Sequence, residues 1–222
     1  MKLQIQQLSL RLEQFVLEVD VDLMDARTAI FGPSGSGKTS LLETIAGLRK
    51  PQTAKITLDD QLFDDTAWNY SLPIRRRRIA YVPQDDSLFP HFSVRGNLLY
   101  GRNGRSTDQA LSFEHVISFL DISSVLDRDV RSLSRGQNQR IVIARALLSA
   151  PRLLLLDEPL TALDAKLKNV ILEQLHSLHD EFGIPMLYVT HDPAEAIKIC
   201  EEVLILESGK ITARGCPGEL LV

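Results

Sequence analysis

Residues 32–39 read Gly-Pro-Ser-Gly-Ser-Gly-Lys-Thr, and this stretch carries the most specific information in the chain. The residues before it, Thr28–Phe31, are mostly apolar and favour a β-strand. The residues after it, Ser40–Ala46, favour a helix that Gly47 can end in a left-handed conformation. The sequence therefore predicts a strand, a glycine-rich loop and a helix in immediate succession.

A loop of this composition is suited to hold phosphate groups. Its glycines allow backbone N–H groups to converge on one anion, and the N-terminus of the following helix adds partial positive charge behind it. Lys38 can reach the β- and γ-phosphates, and the Thr39 hydroxyl can bind Mg²⁺. We therefore predict a nucleoside triphosphate site with these binding residues: Gly32, Pro33, Ser34, Gly35, Ser36, Gly37, Lys38 and Thr39.

The composition argues against some classes of function. The chain has 222 residues, 44% hydrophobic and 24% charged, and its net charge of -4 gives no electrostatic reason to bind nucleic acid. The run Arg75–Arg78 is short and contains no aromatic residue, so we interpret it as solvated charge. Cys200 and Cys216 are far apart and fit reduced thiols in a cytosolic protein.

The apolar stretches are too short to cross a membrane. Spanning a bilayer takes about 20 apolar residues, and the run at Leu153–Leu156 is far shorter than that. The first six residues alternate apolar and polar side chains as a strand does, so we do not expect a signal peptide. Any membrane role is therefore expected to depend on a partner chain.

The hydrophobic pattern alternates between strands and helices along most of the chain. Residues 3–31 alternate as strands, Ile79–Val82 and Leu153–Leu156 are further strands, and Ala165–Phe182 is a helix. Between Leu88 and Ser132 the pattern becomes helical. We predict an α/β fold in which a P-loop NTPase core with a mostly parallel sheet carries an N-terminal antiparallel β subdomain and an inserted helical subdomain.

Polar residues follow three of the predicted strands. Asp157 is suited to hold Mg²⁺, and Glu158 to orient and polarise the water that attacks a γ-phosphate. The Gln84 amide can bind Mg²⁺ or a water, and His191 can donate to a phosphate oxygen. Because the carboxyl ends of parallel strands share one edge, we predict that these residues join the phosphate loop in one site.

A second segment also has the character of an anion site. Ser134 can cap the helix that follows, and Gly136 leaves its backbone accessible, so Ser134, Gly136 and Gln137 are candidate phosphate ligands. One nucleotide does not need two such sites in one chain. We therefore predict a homodimer in which each chain offers this segment to the nucleotide of its partner.

These motifs resemble the ATP-binding subunits of ABC transporters over essentially the whole chain. Six motifs occur in that family's order: Walker A at residues 32–39, the Q-loop at Gln84, the signature at 133–137, Walker B at Asp157 with the catalytic base at Glu158, the D-loop at 161–164, and the switch histidine at His191. The resemblance implies a single domain over residues 1–222. Its nucleotide-binding core would comprise 1–84 and 151–222, and its helical subdomain about 85–150.

The resemblance also implies an activity and an assembly. The cofactors would be ATP and Mg²⁺, with two chains enclosing two ATP molecules and hydrolysis driving two transmembrane permease subunits. The complete importer would include a solute-binding protein, and this chain would lie peripherally at the cytoplasmic face of the inner membrane. The family docks its membrane partner near residues 85–101, where Phe89, His91 and Phe92 have the character of exposed side chains.

The cargo is a finer inference from the same resemblance. Segments 88–101 and 184–192 are most similar to importers of oxyanions, molybdate in particular. Such ATPases commonly carry a C-terminal regulatory domain, and because the sequence stops at Val222 we expect that domain to be missing or trimmed. An importer of sulfate, a sugar, a polyamine or a metal, and a soluble ABC ATPase without transport, remain as alternatives.

Two positions depart from the family pattern. The signature usually has glycine where this chain has Arg135, whose side chain we expect to point to solvent. The family often stacks adenine on an aromatic residue ahead of Walker A, where this chain has Leu10, Arg11 and Leu12. Phe15 is the nearest aromatic, but core packing explains it equally well, so no adenine platform is predicted.

Overall fold

The computed structural model describes residues 1–85, 88–102, 111–161 and 163–221. Strands in this part of the chain are β1 (Leu3–Arg11), β2 (Val16–Leu23), β3 (Arg27–Phe31), β4 (Thr53–Leu58), β5 (Gln61–Asp65), β6 (Tyr70–Ser71), β7 (Ile79–Val82), β8 (Leu153–Asp157), β9 (Met186–Thr190), β10 (Glu202–Glu207) and β11 (Lys210–Gly215). Helices are α1 (Lys38–Ala46), α2 (Ile74–Arg77), α3 (Val94–Gly101), α4 (Phe113–Phe119), α5 (Arg135–Leu148), α6 (Ala165–Phe182), α7 (Pro193–Ile199) and α8 (Pro217–Leu220).

The described strands form one 11-stranded sheet in the order β6-β5-β4-β1-β2-β11-β10-β3-β9-β8-β7. The five strands from β10 to β7 run parallel to one another, whereas β6, β5, β4, β1 and β2 pair antiparallel. The β10–β11 hairpin joins the two parts. The predicted combination of a parallel core and an N-terminal antiparallel region is therefore confirmed, and the two are continuous.

Burial along the strands follows from their place in the sheet. Every residue of β8 and β9 is buried, as expected for central parallel strands covered on both faces. In β2 exposed and buried residues alternate, because only one face of the antiparallel region is covered. The predicted bounds of β7 and α6 match the structure.

Two apolar cores lie on opposite faces of the sheet. Leu154 and Leu156 of β8 contribute to the core shared with α5 and α6, whereas Leu153 and Leu155 contribute to the core shared with α1. The helical segments between β7 and β8 therefore pack on one face, and the helix after the glycine-rich loop packs on the other. Among the described residues, no helix has the length and apolar character to cross a membrane.

The structure corrects the interpretation of the arginine run. Arg77 is not solvated: only 1% of it is exposed, and its Nη1 lies 2.8 Å from Asp64 Oδ2. The same guanidinium donates to the carbonyl oxygens of Ile45 at 3.0 Å and Leu72 at 3.1 Å. Arg77 therefore ties the end of α1 to β5, while its neighbours Arg75 and Arg76 are exposed.

Replacing Arg77 by lysine is expected to destabilise the fold by about 2 kcal/mol. Lysine keeps the charge but cannot reproduce the planar set of hydrogen bonds, so buried acceptors lose their donors. Urea unfolding should show this as a lower midpoint with an unchanged slope. Arg76→Lys is the matched control and should change stability by less than about 0.5 kcal/mol; equal effects of the two variants would contradict the structural role of Arg77.

Candidate functional site

The glycine-rich loop runs from the end of β3 to the start of α1. Gly35 and Gly37 have φ of +80° and +105°, a left-handed conformation that other residues rarely adopt. A Cβ on Gly32 would lie 2.1 Å from the carbonyl oxygen of Leu206. Gly37 is the N-cap of α1, so the loop's backbone adjoins the N-terminus of that helix. The local geometry is that of an anion-binding loop.

Lys38 lies within this loop region as a buried cation. Its side chain is 5% exposed, and Nζ donates to the carbonyl oxygens of Gly32 and Pro33, each at 2.9 Å. Burial lowers the pKa of Lys38, while the nearby carboxylates of Glu158 and Asp157 raise it. The hydrogen-bond partners of the ammonium are therefore neutral carbonyl groups, and the nearest carboxylate oxygen, Glu158 Oε1, lies 3.8 Å away.

Asp157, the last residue of β8, is 1% exposed. The Tyr81 hydroxyl donates to Oδ2 at 3.1 Å, whereas Oδ1 is buried and forms no hydrogen bond among the described residues. Burial raises the pKa of Asp157, and the hydroxyls of Thr39 and Tyr81, with the Lys38 ammonium, act in the opposite direction. A buried carboxylate oxygen without a donor is available to a cation.

Glu158 connects several of the predicted residues. Its backbone has φ of +44°, a strained conformation for a residue with a side chain, and its N–H donates to the Val189 carbonyl oxygen at 3.0 Å. Oε2 lies 3.0 Å from His191 Nδ1 and accepts from the Thr161 hydroxyl at 3.1 Å. The carboxylate thus lies between Lys38 and His191, as the strand-end argument predicts.

An open cavity of about 530 Å³ adjoins this cluster. The residues that line it come from the end of β1 and the β1–β2 turn, the glycine-rich loop, α1 and the segment after it, and the ends of β7 and β8: Arg11, Leu12, Glu13, Gln14, Phe15, Ser34, Gly35, Gly37, Lys38, Thr39, Ser40, Arg49, Gln84 and Glu158. Gln84 is exposed and follows β7, as predicted. Ser36, within the loop, is buried, and its carbonyl oxygen accepts from the Gly209 N–H at 3.1 Å.

Residues 133–137 form a helix start away from this cavity. Ser134 caps α5 and forms a reciprocal capping box with Gln137: the Gln137 N–H donates to Ser134 Oγ at 3.3 Å, and the Ser134 N–H donates to Gln137 Oε1 at 3.0 Å. Arg135 is exposed at the first position of the helix. Neither Ser134 nor Gln137 lines the cavity, so one chain does not bring the two candidate phosphate sites together.

The expectation that Gly136 leaves its backbone accessible is wrong. Gly136 is buried, and a Cβ placed there would lie 2.2 Å from Leu167 Cδ2 of α6. A glycine at this position therefore allows two helices to approach closely. Next to this contact, Asp164 caps α6 by accepting from the Leu167 N–H at 3.0 Å. Ala162, which belongs to the predicted D-loop, lies outside the described residues.

The structure adds Phe15 to the candidate site. Its side chain is half-buried and lines the cavity instead of entering either core. A Cβ added to Gly209 would lie 2.6 Å from an atom of the Phe15 ring, and one added to Gly37 would lie 3.5 Å from it. The ring therefore packs directly against both glycines. The sequence shows Phe15 as an aromatic residue ahead of the glycine-rich loop, but it does not distinguish a cavity position from a core position, because Phe15 precedes an alternating strand that contains core residues.

A second groove lies beside α3. It has a volume of about 350 Å³, and its walls include Phe89, Tyr100 and the half-buried Arg145. The rings of Phe89 and Tyr100 are 4.7 Å apart, and the Arg145 guanidinium lies 5.0 Å from the Phe89 ring. Phe89 and Phe92 are half-buried in this cluster, so the expectation of exposed side chains holds for His91 and not for the two phenylalanines.

The sheet, the glycine-rich loop and the carboxylates at the strand ends define a P-loop nucleotide-binding domain. Residues 18–161 match the ABC transporter family, and the chain belongs to that family. The solved structure of cbiO1 from Clostridium perfringens, part of the ABC transporter complex cbiONQ, is similar with a TM-score of 0.83 at 25% identity, covering 99% of this chain and 90% of that one. An inward-facing metal-chelate type ABC transporter gives 0.80 at 27% identity, covering 100% and 86%.

Two similar proteins from bacteria share the name of molybdenum import ATP-binding protein. The chain is 48% identical over 203 residues to the molybdenum import ATP-binding protein ModC 1 of Azotobacter vinelandii, covering 90% of this chain and 56% of the relative. It is 46% identical over 193 residues to the molybdenum import ATP-binding protein ModC of Escherichia coli K12, covering 87% and 54%. The chain thus spans little more than half the length of these relatives.

Proposed function

We propose that this chain binds and hydrolyses ATP to energise an ABC importer, and that the cargo is molybdate or a similar oxyanion. The observation that carries the proposal is the cluster of Lys38, Glu158 and His191 at the phosphate-binding end of an open cavity. A cation for the phosphates, a carboxylate for the attacking water and an imidazole beside that carboxylate are groups suited to phosphoanhydride hydrolysis.

The cavity suits a nucleoside triphosphate. The phosphates would bind the backbone N–H groups of the glycine-rich loop, and Lys38 Nζ would exchange the carbonyls of Gly32 and Pro33 for phosphate oxygens. Phe15, which lines the same cavity, would contact the base. The lowered pKa of the buried lysine favours this exchange, because anionic phosphates stabilise its charged form.

The site also fits Mg²⁺. The Asp157 Oδ1 atom has no donor among the described residues, and burial raises the pKa of this carboxyl group, so a cation would stabilise its charged form. Thr39 and Gln84, which line the cavity, would supply two further oxygen ligands, and phosphate oxygens and waters would complete the set. When bound, the ion would neutralise charge on the β- and γ-phosphates.

Glu158 is proposed as the general base. Its carboxylate would accept a proton from the attacking water, and the His191 ring, through Oε2, would hold the carboxylate in place while facing the γ-phosphate. The strained backbone of Glu158, and the hydrogen bond from its N–H to the Val189 carbonyl oxygen, fix the direction in which the side chain leaves β8. Positioning of this kind lowers the barrier without further motion of the protein.

Dimerisation would complete each site. Ser134 and Gln137 lie at a capped helix N-terminus that does not line the chain's own cavity, which supports a role toward the partner's nucleotide. Gly136 would contribute indirectly, because the absence of a side chain lets the start of α5 pack closely against Leu167 of α6.

Ser134→Arg is expected to leave ATP binding by the single chain unchanged and to lower hydrolysis at least about tenfold, because a long side chain would occupy the partner's phosphate position. Fluorescent-nucleotide titration and phosphate release measure the two effects. The matched control is Ser112→Arg, which alters the equivalent cap of α4. Full hydrolysis by the Ser134 variant would contradict the contribution across the dimer.

The groove beside α3 is proposed to receive a helix of a transmembrane permease subunit. Its aromatic walls suit apolar side chains, and Arg145 provides one polar contact within them. The chain would thereby lie at the cytoplasmic face of the membrane, held there by its partners. The assembled importer would contain two permease subunits and a solute-binding protein.

Molybdate uptake tests the cargo. Cells that lack only their own molybdenum import ATP-binding protein, and keep the permease subunits of that importer, would receive the chain, and radiolabelled molybdate accumulation would be measured. We expect uptake that excess tungstate suppresses and excess sulfate suppresses less. The molybdate assignment would be overturned if molybdate uptake by the wild-type chain were no greater than by the Glu158→Gln variant, or if the cells took up sulfate instead. ATP hydrolysis by the purified chain would be tested separately.

A further inference from the structure

Lys168, on the first turn of α6, contacts two carboxylates next to His191 although it belongs to none of the motifs. Its Nζ pairs with Asp192 Oδ2 and lies 2.7 Å from Glu195 Oε1. Glu195 is 4% exposed, and a carboxylate this deeply buried needs compensating partners. Lys168 is the cationic partner of Glu195, and it reaches that carboxylate from α6, whereas Glu195 belongs to α7.

The other oxygen of Glu195 fixes the strand that leads to His191. Oε2 accepts from the Tyr188 hydroxyl at 2.9 Å and from the Thr190 hydroxyl at 2.6 Å. Thr190 Oγ1 in turn accepts from the Asp192 N–H at 3.0 Å. The residues immediately before and after His191 are therefore both held by this buried network.

The charges in the network depend on the lysine. Burial lowers the pKa of Lys168, but its hydrogen bonds to Asp192 and Glu195 outweigh that effect and raise it overall. The hydrogen bond from Lys168 lowers the pKa of Asp192. Without the ammonium, two neighbouring carboxylates would face each other, and their repulsion would displace the segment between Thr190 and Glu195.

We propose that Lys168 is a positioning residue that, through Asp192 and Glu195, holds His191 against the Glu158 carboxylate. The proposal rests on the role given to His191 and Glu158 above. Lys168 itself touches neither the cavity nor the reacting groups, so it acts on turnover through the imidazole. The same helical turn carries Leu167, the side chain that packs on Gly136.

The kinetic test compares Lys168→Met in the full chain with wild type. We expect the Kd for ATP to change by less than about twofold and kcat to fall about 10- to 100-fold, the loss typical of a misplaced catalytic group. In a His191→Ala background, Lys168→Met should cause no further loss, because the group through which it acts is gone. An additive loss in that background would overturn the proposal.

The chain offers a matched control. Lys198 Nζ pairs with Glu173 Oε1 at 3.2 Å, so it also joins α6 to α7, but at an exposed position away from His191. Lys198→Met should leave kcat unchanged. Glu195→Gln is the second variant for the proposal: in the Lys168→Met background it removes one of the two repelling carboxylates, so the double variant should recover part of the kcat that Lys168→Met loses. Equal losses from Lys168→Met and Lys198→Met would overturn the proposal.

A second readout needs no nucleotide. NMR spectra of the imidazole nitrogens, assigned with His191→Ala, should show the His191 ring resonances shifting in Lys168→Met. The ring of His115, which pairs with Glu181 at 2.5 Å, serves as the internal reference and should not shift. Unchanged His191 resonances would overturn the proposal. If wild type lacks ATPase activity, the proposed function fails, and this measurement still tests whether Lys168 positions His191.

Discussion

Glu158→Gln is expected to retain ATP binding and to lose hydrolysis by a factor of about 10² to 10⁴, the range associated with removal of a general base. Glutamine keeps the size of the side chain and can still accept hydrogen bonds from Thr161 and His191. It cannot take a proton from water at neutral pH. The loss should therefore appear in kcat, with the Kd for ATP close to that of wild type.

Glu207→Gln is a suitable control for that experiment. Glu207 ends β10 with an exposed side chain, so the same chemical change there should leave both constants unaltered. Light scattering of Glu158→Gln, with and without ATP and Mg²⁺, adds the state of association. A shift from monomer to dimer on adding ATP is expected; near-normal hydrolysis by the variant would move the general base to another residue.

Lys38→Ala is expected to weaken ATP binding by about a hundredfold or more. The substitution removes a buried cation that faces the phosphate position, and truncating one partner of a buried charge pair across a binding interface costs about 2–5 kcal/mol of affinity. It also leaves the Asp157 and Glu158 carboxylates without the ammonium that moderates their repulsion. Isothermal titration with a non-hydrolysable ATP analogue measures the affinity directly.

Lys55→Ala provides the comparison for this variant. Lys55 is exposed on β4 and should contribute nothing to nucleotide affinity. Thermal unfolding of Lys38→Ala without nucleotide separates a loss of binding from a loss of fold. Tight ATP binding by a folded Lys38→Ala protein would overturn the assignment of residues 32–39 as the phosphate site.

The features predicted from sequence were those that local spacing determines. The glycine-rich loop lies between a strand and a helix because eight consecutive residues dictate it. Glu158 and His191 meet because each directly follows a strand of one parallel sheet, β8 and β9, which are neighbours. Once the strands were predicted, their carboxyl ends had to lie at one edge.

The features that local sequence patterns do not indicate depend on contacts between distant segments. Arg77 is buried because Asp64 and the carbonyl of Ile45 converge on it, and nothing in the run Arg75–Arg78 distinguishes it from its neighbours. Gly136 is required by Leu167, a residue of another helix. The pattern of one segment cannot indicate which side chain will approach it from elsewhere.

Phe15 illustrates an intermediate case. Its position before β2 was known, but whether the ring entered the core or the cavity depended on the β10–β11 turn. Gly209 leaves room for the ring at that turn, with φ of +81° and no side chain. A residue with a Cβ at position 209 would press on the ring and on the carbonyl oxygen of Val16, 2.5 Å away.

At position 158 the left-handed backbone creates a conflict between stability and activity, because the carboxylate proposed for hydrolysis belongs to a residue that this conformation destabilises. A residue with a Cβ pays about 1–2 kcal/mol to adopt such a conformation, whereas glycine adopts it freely and asparagine more easily than most. Selection for thermal tolerance alone would therefore favour Gly or Asn here and discard the carboxylate. Engineering a more durable version of this protein should leave position 158 untouched and seek its gains in the two cores.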